Sequence, residues 1–196
     1  MSHYLHNRVP GLTFFFTVRL LDRQSALLTE HISAFGEAIR LARSKKPFHV
    51  DAWVALPDHA HAIWTLPPGD ADCASRWRTV KIAFTKALRK AGNCAPHESA
   101  LWERHYQWRQ VADDADYASL IDYVHLNPMR HGLCEHVAGW PWSSLHRFVA
   151  AGMVPPVVTD TARAPTSAAS PVAAISPISP ISPTSPISPM QNGAPG

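Results

Sequence analysis

Two histidines one residue apart, His59 and His61, and a tyrosine and an asparagine one helical turn apart, Tyr123 and Asn127, are the residues of this chain best suited to chemistry. They lie in Asp51-Ala-Trp-Val-Ala-Leu-Pro-Asp-His-Ala-His-Ala-Ile-Trp-Thr-Leu66 and in Asp122-Tyr-Val-His-Leu-Asn-Pro-Met-Arg-His-Gly132. Two imidazoles and an amide oxygen suit a divalent cation such as Mg²⁺ or Mn²⁺, and they leave coordination positions for phosphate and water. A phenol beside that cation is a nucleophile. The set is equipment for breaking a phosphodiester bond.

The elements that must position these groups follow from local pattern. Around the histidines, alternating Val/Ile/Trp/Leu-rich sequence interrupted by Pro57-Asp58 predicts two short strands joined by a tight turn. Side chains in a strand alternate faces, so His59 and His61 project together while Ala60 points the other way, into a core. From Asp113 to Asn127, Tyr117, Leu120, Ile121 and Val124 recur at helical spacing, and Asp113, Asp114 and Asp116 suit the N-terminal turn. Pro128 is expected to stop this helix. Tyr123 and Asn127 then lie about 40° apart on one edge of it and can face a common site. The same pattern also fits an ordinary half-buried tyrosine and an asparagine cap ahead of proline.

Taken together, these segments resemble the single-tyrosine branch of the His-hydrophobic-His (HUH) nucleases, specifically the REP-associated tyrosine transposases. The resemblance runs through Thr13-Phe-Phe-Phe-Thr-Val18, Ala52 to Trp64, Leu66-Pro-Pro-Gly-Asp70, Arg76-Trp-Arg78 with Lys81, Leu101-Trp-Glu103, Asp122 to Leu133, and Trp140-Pro-Trp-Ser-Ser-Leu-His-Arg147. It implies metal binding by His59 and His61, a nucleophile at Tyr123 and a polar metal ligand at Asn127. It also implies cleavage and rejoining of single-stranded hairpin DNA, of the repetitive extragenic palindrome type, through a 5′-phosphotyrosine. A monomer is expected. Asp58 is placed to orient one imidazole. His125, two residues from the nucleophile, faces away and is assigned to core or DNA contact. Two other readings remain open: a domesticated hairpin binder that does not cleave, and a metal-dependent nuclease that uses water.

Charge agrees with a nucleic-acid partner without requiring one: the formal net charge is +3 and the pI about 8.9. Between Ser75 and Ala91 an apolar stripe of Trp77, Val80, Phe84, Ala87 and Leu88 alternates with Arg76, Arg78, Lys81, Lys86, Arg89 and Lys90. That helix can lie on a sheet and present cations to phosphates, or simply be solvated. In Trp102 to Arg109 aromatics interleave with Arg104 and Arg109, which suits base stacking or a core role for the tryptophans. Arg130 completes the candidate DNA contacts.

Residues 1–152 read as one α+β domain, an antiparallel β-sheet flanked by helices, the HUH-endonuclease (RRM-like) sandwich. Strands are expected near Thr13–Leu20, Phe48–Ala55, His59–Leu66 and Trp102–Val111, and helices near Thr29–Ser44, Ser75–Gly92 and Asp113–Asn127, with a short one after Trp142. From residue 153 the composition turns to Pro, Ser, Ala and Ile with proline at every third position, which predicts a disordered extended tail. The three cysteines lack metal-ligand spacing and are expected reduced. No signal peptide or spanning apolar stretch is seen, so a cytoplasmic, nucleoid-associated protein without membrane contact is expected.

Overall fold

The structure, a computed structural model, describes residues 9–94 and 100–153. The expected tail from 153 onward lies, apart from Met153, outside the described residues. Strand β1 (Leu12–Arg19) is followed by α1 (Leu27–Glu30), α2 (Ile32–Lys45), β2 (His49–Ala55), β3 (His59–Leu66), α3 (Cys73–Lys90), β4 (Gln107–Gln110), α4 (Asp114–Arg130) and α5 (Leu145–Ala150). The strands form one sheet in the order β2-β3-β1-β4, with every pairing antiparallel. This is a split β-α-β-β-α-β arrangement with a further helix, α4, on the second face.

Two hydrophobic layers sandwich the sheet, which explains why β1 is apolar almost without interruption. Phe14, Phe16 and Val18 join Ala60, Ala62 and Trp64 under α2 and α3, where Trp64 and Trp77 stack at 4.2 Å. Phe15, Ala52, Val54 and Ile63 face α4, which supplies Tyr117, Leu120, Ile121, Tyr123 and Val124. His59 and His61 therefore project toward α4 while Ala60 enters the opposite core, as the alternation predicts. Asp51 sits at a register irregularity between Val50 and Ala52 and is itself buried. Its carboxylate accepts hydrogen bonds from Thr65 Oγ1 at 2.9 Å and the Tyr117 hydroxyl at 3.1 Å, fastening α4 to the sheet.

Three differences from the sequence expectations have physical causes. The first helix is interrupted at His31, whose φ of −116° and ψ of 36° separate α1 from α2. The fourth strand shrinks to Gln107–Gln110, because ahead of it the Glu103 amide donates to Arg19 O and its carbonyl accepts from Lys81 Nζ at 3.0 Å. Trp102 is buried in the core, and Trp108 packs edge-on against Phe14 at 5.8 Å. Finally, Pro128 does not end α4, which continues to Arg130. The helix is closed by Leu133 N donating to Pro128 O and Gly132 N donating to Met129 O, with Gly132 at φ +66°, a Schellman stop that needs the left-handed conformation glycine adopts freely.

Arg76 also departs from expectation. It is 1% exposed, with its guanidinium donating to both Asp70 carboxylate oxygens and to the carbonyls of Lys46, Pro47 and Asp72. It ties α3 to the α2–β2 and β3–α3 loops at one end of the sheet and presents nothing to a phosphate. Arg76→Ala is expected to lower unfolding free energy by about 3 kcal/mol, since three carbonyls and a carboxylate lose a buried charged donor. Denaturant titration checks this.

His125 is core, not DNA contact: 4% exposed, its Nε2 lies 3.0 Å from Ser144 Oγ and its ring packs edge-on against Phe148. Burial, with Arg147 and His146 nearby, pushes its pKa from 6.5 down to about 3. Because the folded-state value lies below the unfolded one, this group's contribution is present above about pH 6.5 and drains away as pH falls toward 3. Wild type should lose about 1.4 kcal/mol per pH unit from this residue in that window relative to His125→Asn, measured as paired urea midpoints.

Candidate active site

The turn that carries the histidines is clamped from two sides. Leu20 N donates to Asp58 O at 2.7 Å, and Leu28 N donates to Pro57 O at 3.1 Å. His59 and His61 stand on β3 with ring centroids 5.1 Å apart, 4% and 2% exposed. Each has its Nδ1 engaged: His59 by Asp58 Oδ1 at 2.6 Å and His61 by Thr17 Oγ1 at 2.9 Å. Hydrogen bonding at Nδ1 orients an imidazole and directs Nε2 outward as a donor of electron pairs. Arg23 in turn holds Asp58 through Nε at 3.0 Å.

Tyr123 reaches the pair from α4. Its ring meets that of His61 at 5.2 Å and 75°, and that of Phe15 at 5.8 Å and 78°. The Arg130 guanidinium lies over its other side at 5.1 Å. One turn further along α4, Asn127 is 1% exposed beside His61, and no hydrogen bond of good geometry reaches its Oδ1. A buried carbonyl oxygen without a donor is costly and points to a missing ligand. One turn beyond that, His131 brings its ring to 5.0 Å from His59. The structure thus assembles His59, His61, Tyr123, Asn127 and Asp58 in one place.

Burial disfavours the protonated form of both imidazoles. Burial lowers the His61 pKa well below 6.5, and the charge of Arg19 with the neighbouring His59 and His131 rings adds to that, against an opposing hydrogen-bond effect of Asn127. Burial also lowers His59, opposed by Asp58. Neutral imidazoles offer lone pairs, which suits a cation. Among the described residues no cluster of three or more His, Cys, Asp or Glu is arranged for a metal. A cation here would rest on two imidazoles and the Asn127 amide oxygen.

Sequence reasoning missed four contributors: Thr17, Arg19, Arg23 and His131. Thr17 and Arg19 pair across the strands with His61 and His59 and so share their face. They are the polar alternates in an otherwise aromatic strand, a signal that the period of two carries. His131 falls eight residues after Tyr123, on the same helix face, and was hidden by the assumption that Pro128 ended the helix.

The basic residues divide. Arg78, Lys86, Arg89, Arg104 and Arg130 are exposed. Arg109 forms a paired contact with Asp116 at 2.6 Å, and Lys81 is partly buried over the rings of Trp102 and Tyr106.

Comparison with known proteins decides the family. The chain is 40% identical over 155 residues to the REP-associated tyrosine transposase of Escherichia coli (strain K12), covering 79% of this chain and 89% of that protein. The chain belongs to the REP-associated tyrosine transposases. A putative REP-associated tyrosine transposase of Haemophilus influenzae (strain ATCC 51907 / DSM 11121 / KW20 / Rd) is 36% identical over 163 residues, 79% of this chain and 92% of that protein. A solved structure of the REP-associated tyrosine transposase bound to a REP hairpin superposes with a TM-score of 0.69 at 39% identity, covering 79% of this chain and 89% of that one. No family model matches the chain. This transposase chain has, among the described residues, no helix long and apolar enough to cross a membrane.

Proposed function

We propose that this chain cleaves and rejoins single-stranded DNA at REP-type hairpins through a covalent 5′-phosphotyrosine on Tyr123, acting as a monomer with Mg²⁺ or Mn²⁺ held by His59, His61 and Asn127. The observation that carries the reading is the contact of the Tyr123 ring with His61, which brings a phenol beside two buried imidazoles and a buried amide oxygen. The hairpin bound by the similar solved structure supports the substrate class.

A phosphodiester repels nucleophiles, and a divalent cation supplies the positive charge that polarises it. His59 and His61, fixed by Asp58 and Thr17, would orient that cation, and Asn127 would complete its protein ligands. The Tyr123 oxygen forms a bond to phosphorus as the bond to the in-line 3′-oxygen breaks; the phenolic proton passes to water, and the departing 3′-oxygen takes a proton from water to become a free 3′-hydroxyl. Because the phosphotyrosine keeps the energy of the broken bond, a 3′-hydroxyl can attack it and restore a phosphodiester without ATP. Arg78, Lys86, Arg89, Arg104 and Arg130 supply phosphate contacts whose affinity falls with salt.

The experiment mixes purified full-length protein with end-labelled single-stranded hairpins from repeats flanking its gene, in Mn²⁺ or EDTA, and runs denaturing gels. A metal-dependent adduct that survives denaturation supports the reading. Hairpin binding without an adduct favours a non-cleaving binder, and metal-dependent cleavage without an adduct favours a nuclease that uses water.

A further inference from the structure

Arg19 differs from every other buried or half-buried arginine described here. Arg76 is saturated by Asp70 and three carbonyls, Arg109 is clasped by Asp116, and even the exposed Arg147 donates to the carbonyls of Val50 and Asp51. Arg19 is half-buried on a central strand, yet its Nε is enclosed without any hydrogen-bond partner, and no carboxylate among the described residues pairs with it. An enclosed guanidinium N–H left unmade is unfavourable unless something else accepts from it.

Its position says what that acceptor is. Arg19 stands directly across from His59 in the β1–β3 register, one alternate along from Thr17, which holds His61. Its charge also acts on both His61 and His131, so the guanidinium lies close to the histidine cluster. The nearby carboxylate, Asp58, is already taken by Arg23 and His59. We propose that Arg19 donates to a non-bridging oxygen of the phosphodiester attacked by Tyr123, so that β1 forms an anion seat opposite the nucleophile. This rests on the transesterification reading above and adds a catalytic residue to it. A planar donor aimed at an oxygen that gains charge during attack lowers the barrier more than it tightens binding.

The test uses the full chain with Arg19→Ala and Arg19→Lys, and hairpin oligonucleotides carrying either a normal phosphate or a neutral methylphosphonate at the cleaved position. Arg19→Ala should slow single-turnover adduct formation about a hundredfold or more on the normal phosphate, with hairpin affinity falling by a smaller but measurable factor of about threefold to tenfold. Arg19→Lys should recover part of the rate. On methylphosphonate the loss caused by Arg19→Ala should largely vanish, because the oxygen charge it meets is gone. An unchanged rate, or the same loss on both substrates, overturns the proposal, the latter marking a structural role. Affinities in a Tyr123→Phe background separate this from the reading beneath it. If wild type forms no adduct on any hairpin, that reading fails, yet a preference for phosphate over methylphosphonate that disappears with Arg19→Ala still supports the Arg19 contact. Absence of such a preference overturns it.

Discussion

Tyr123→Phe is expected to abolish the covalent adduct and the cleaved product while leaving hairpin affinity within about threefold of wild type. The substitution removes one hydroxyl and nothing else. Edge-on contacts of the ring with Phe15 and His61, and the Arg130 guanidinium above it, are made by carbon atoms and the π face that phenylalanine keeps. Stability should therefore move little. No neighbouring side chain on α4 offers a substitute phenol: Tyr117 lies on the same helix but its hydroxyl is directed to Asp51. Denaturing gels read the adduct and filter binding reads the affinity. Adduct formation at the wild-type rate by this variant would remove Tyr123 from the mechanism.

His61→Ala is the second large effect, and it acts on the cation. Loss of one of two imidazoles should lower affinity for Mn²⁺ at least tenfold and reduce adduct formation by two orders of magnitude or more, with partial return at high metal concentration. Calorimetric titration of Mn²⁺ into the DNA-free protein measures the first without reference to activity. His61 is buried and stacked on Phe15 at 5.7 Å, so removal also leaves a cavity, with a stability cost of about 2 kcal/mol. His61→Gln retains most of that volume. If metal affinity stays at the wild-type value in both variants, the imidazole is a core residue.

Much of this architecture is legible from period and turn chemistry alone. The hairpin of β2 and β3 follows from alternation broken by Pro57-Asp58, and α3 from Trp77, Val80, Phe84 and Leu88, all of which are buried. The histidine pair and its shared face follow from the period of two. What local pattern could not show depends on tertiary contacts. Arg76 sits in sequence among exposed cations, and only the approach of Asp70 and the Lys46-Pro47 loop turns it inward. Pro128 reads as a stop, yet a proline near the end of a helix forfeits a single donor, and Gly132 is where the backbone can turn left-handed. The family resemblance carried Tyr123 and Asn127 beyond what their spacing alone would support, since that spacing equally fits a core tyrosine and a helix cap.

The two halves of the site ride on different layers of the protein. The imidazoles belong to the sheet, whereas Tyr123 and Asn127 are carried together on α4, which is held by its buried apolar face and by polar contacts that include Tyr117 to Asp51, His125 to Ser144 and Asp116 to Arg109. Nucleophile and amide oxygen thus share one helix, and neither can drift out of register without the other. Weakening a fastening such as Tyr117–Asp51 is therefore expected to act on attack and metal grip together, as a clutch does, with every reactive side chain intact.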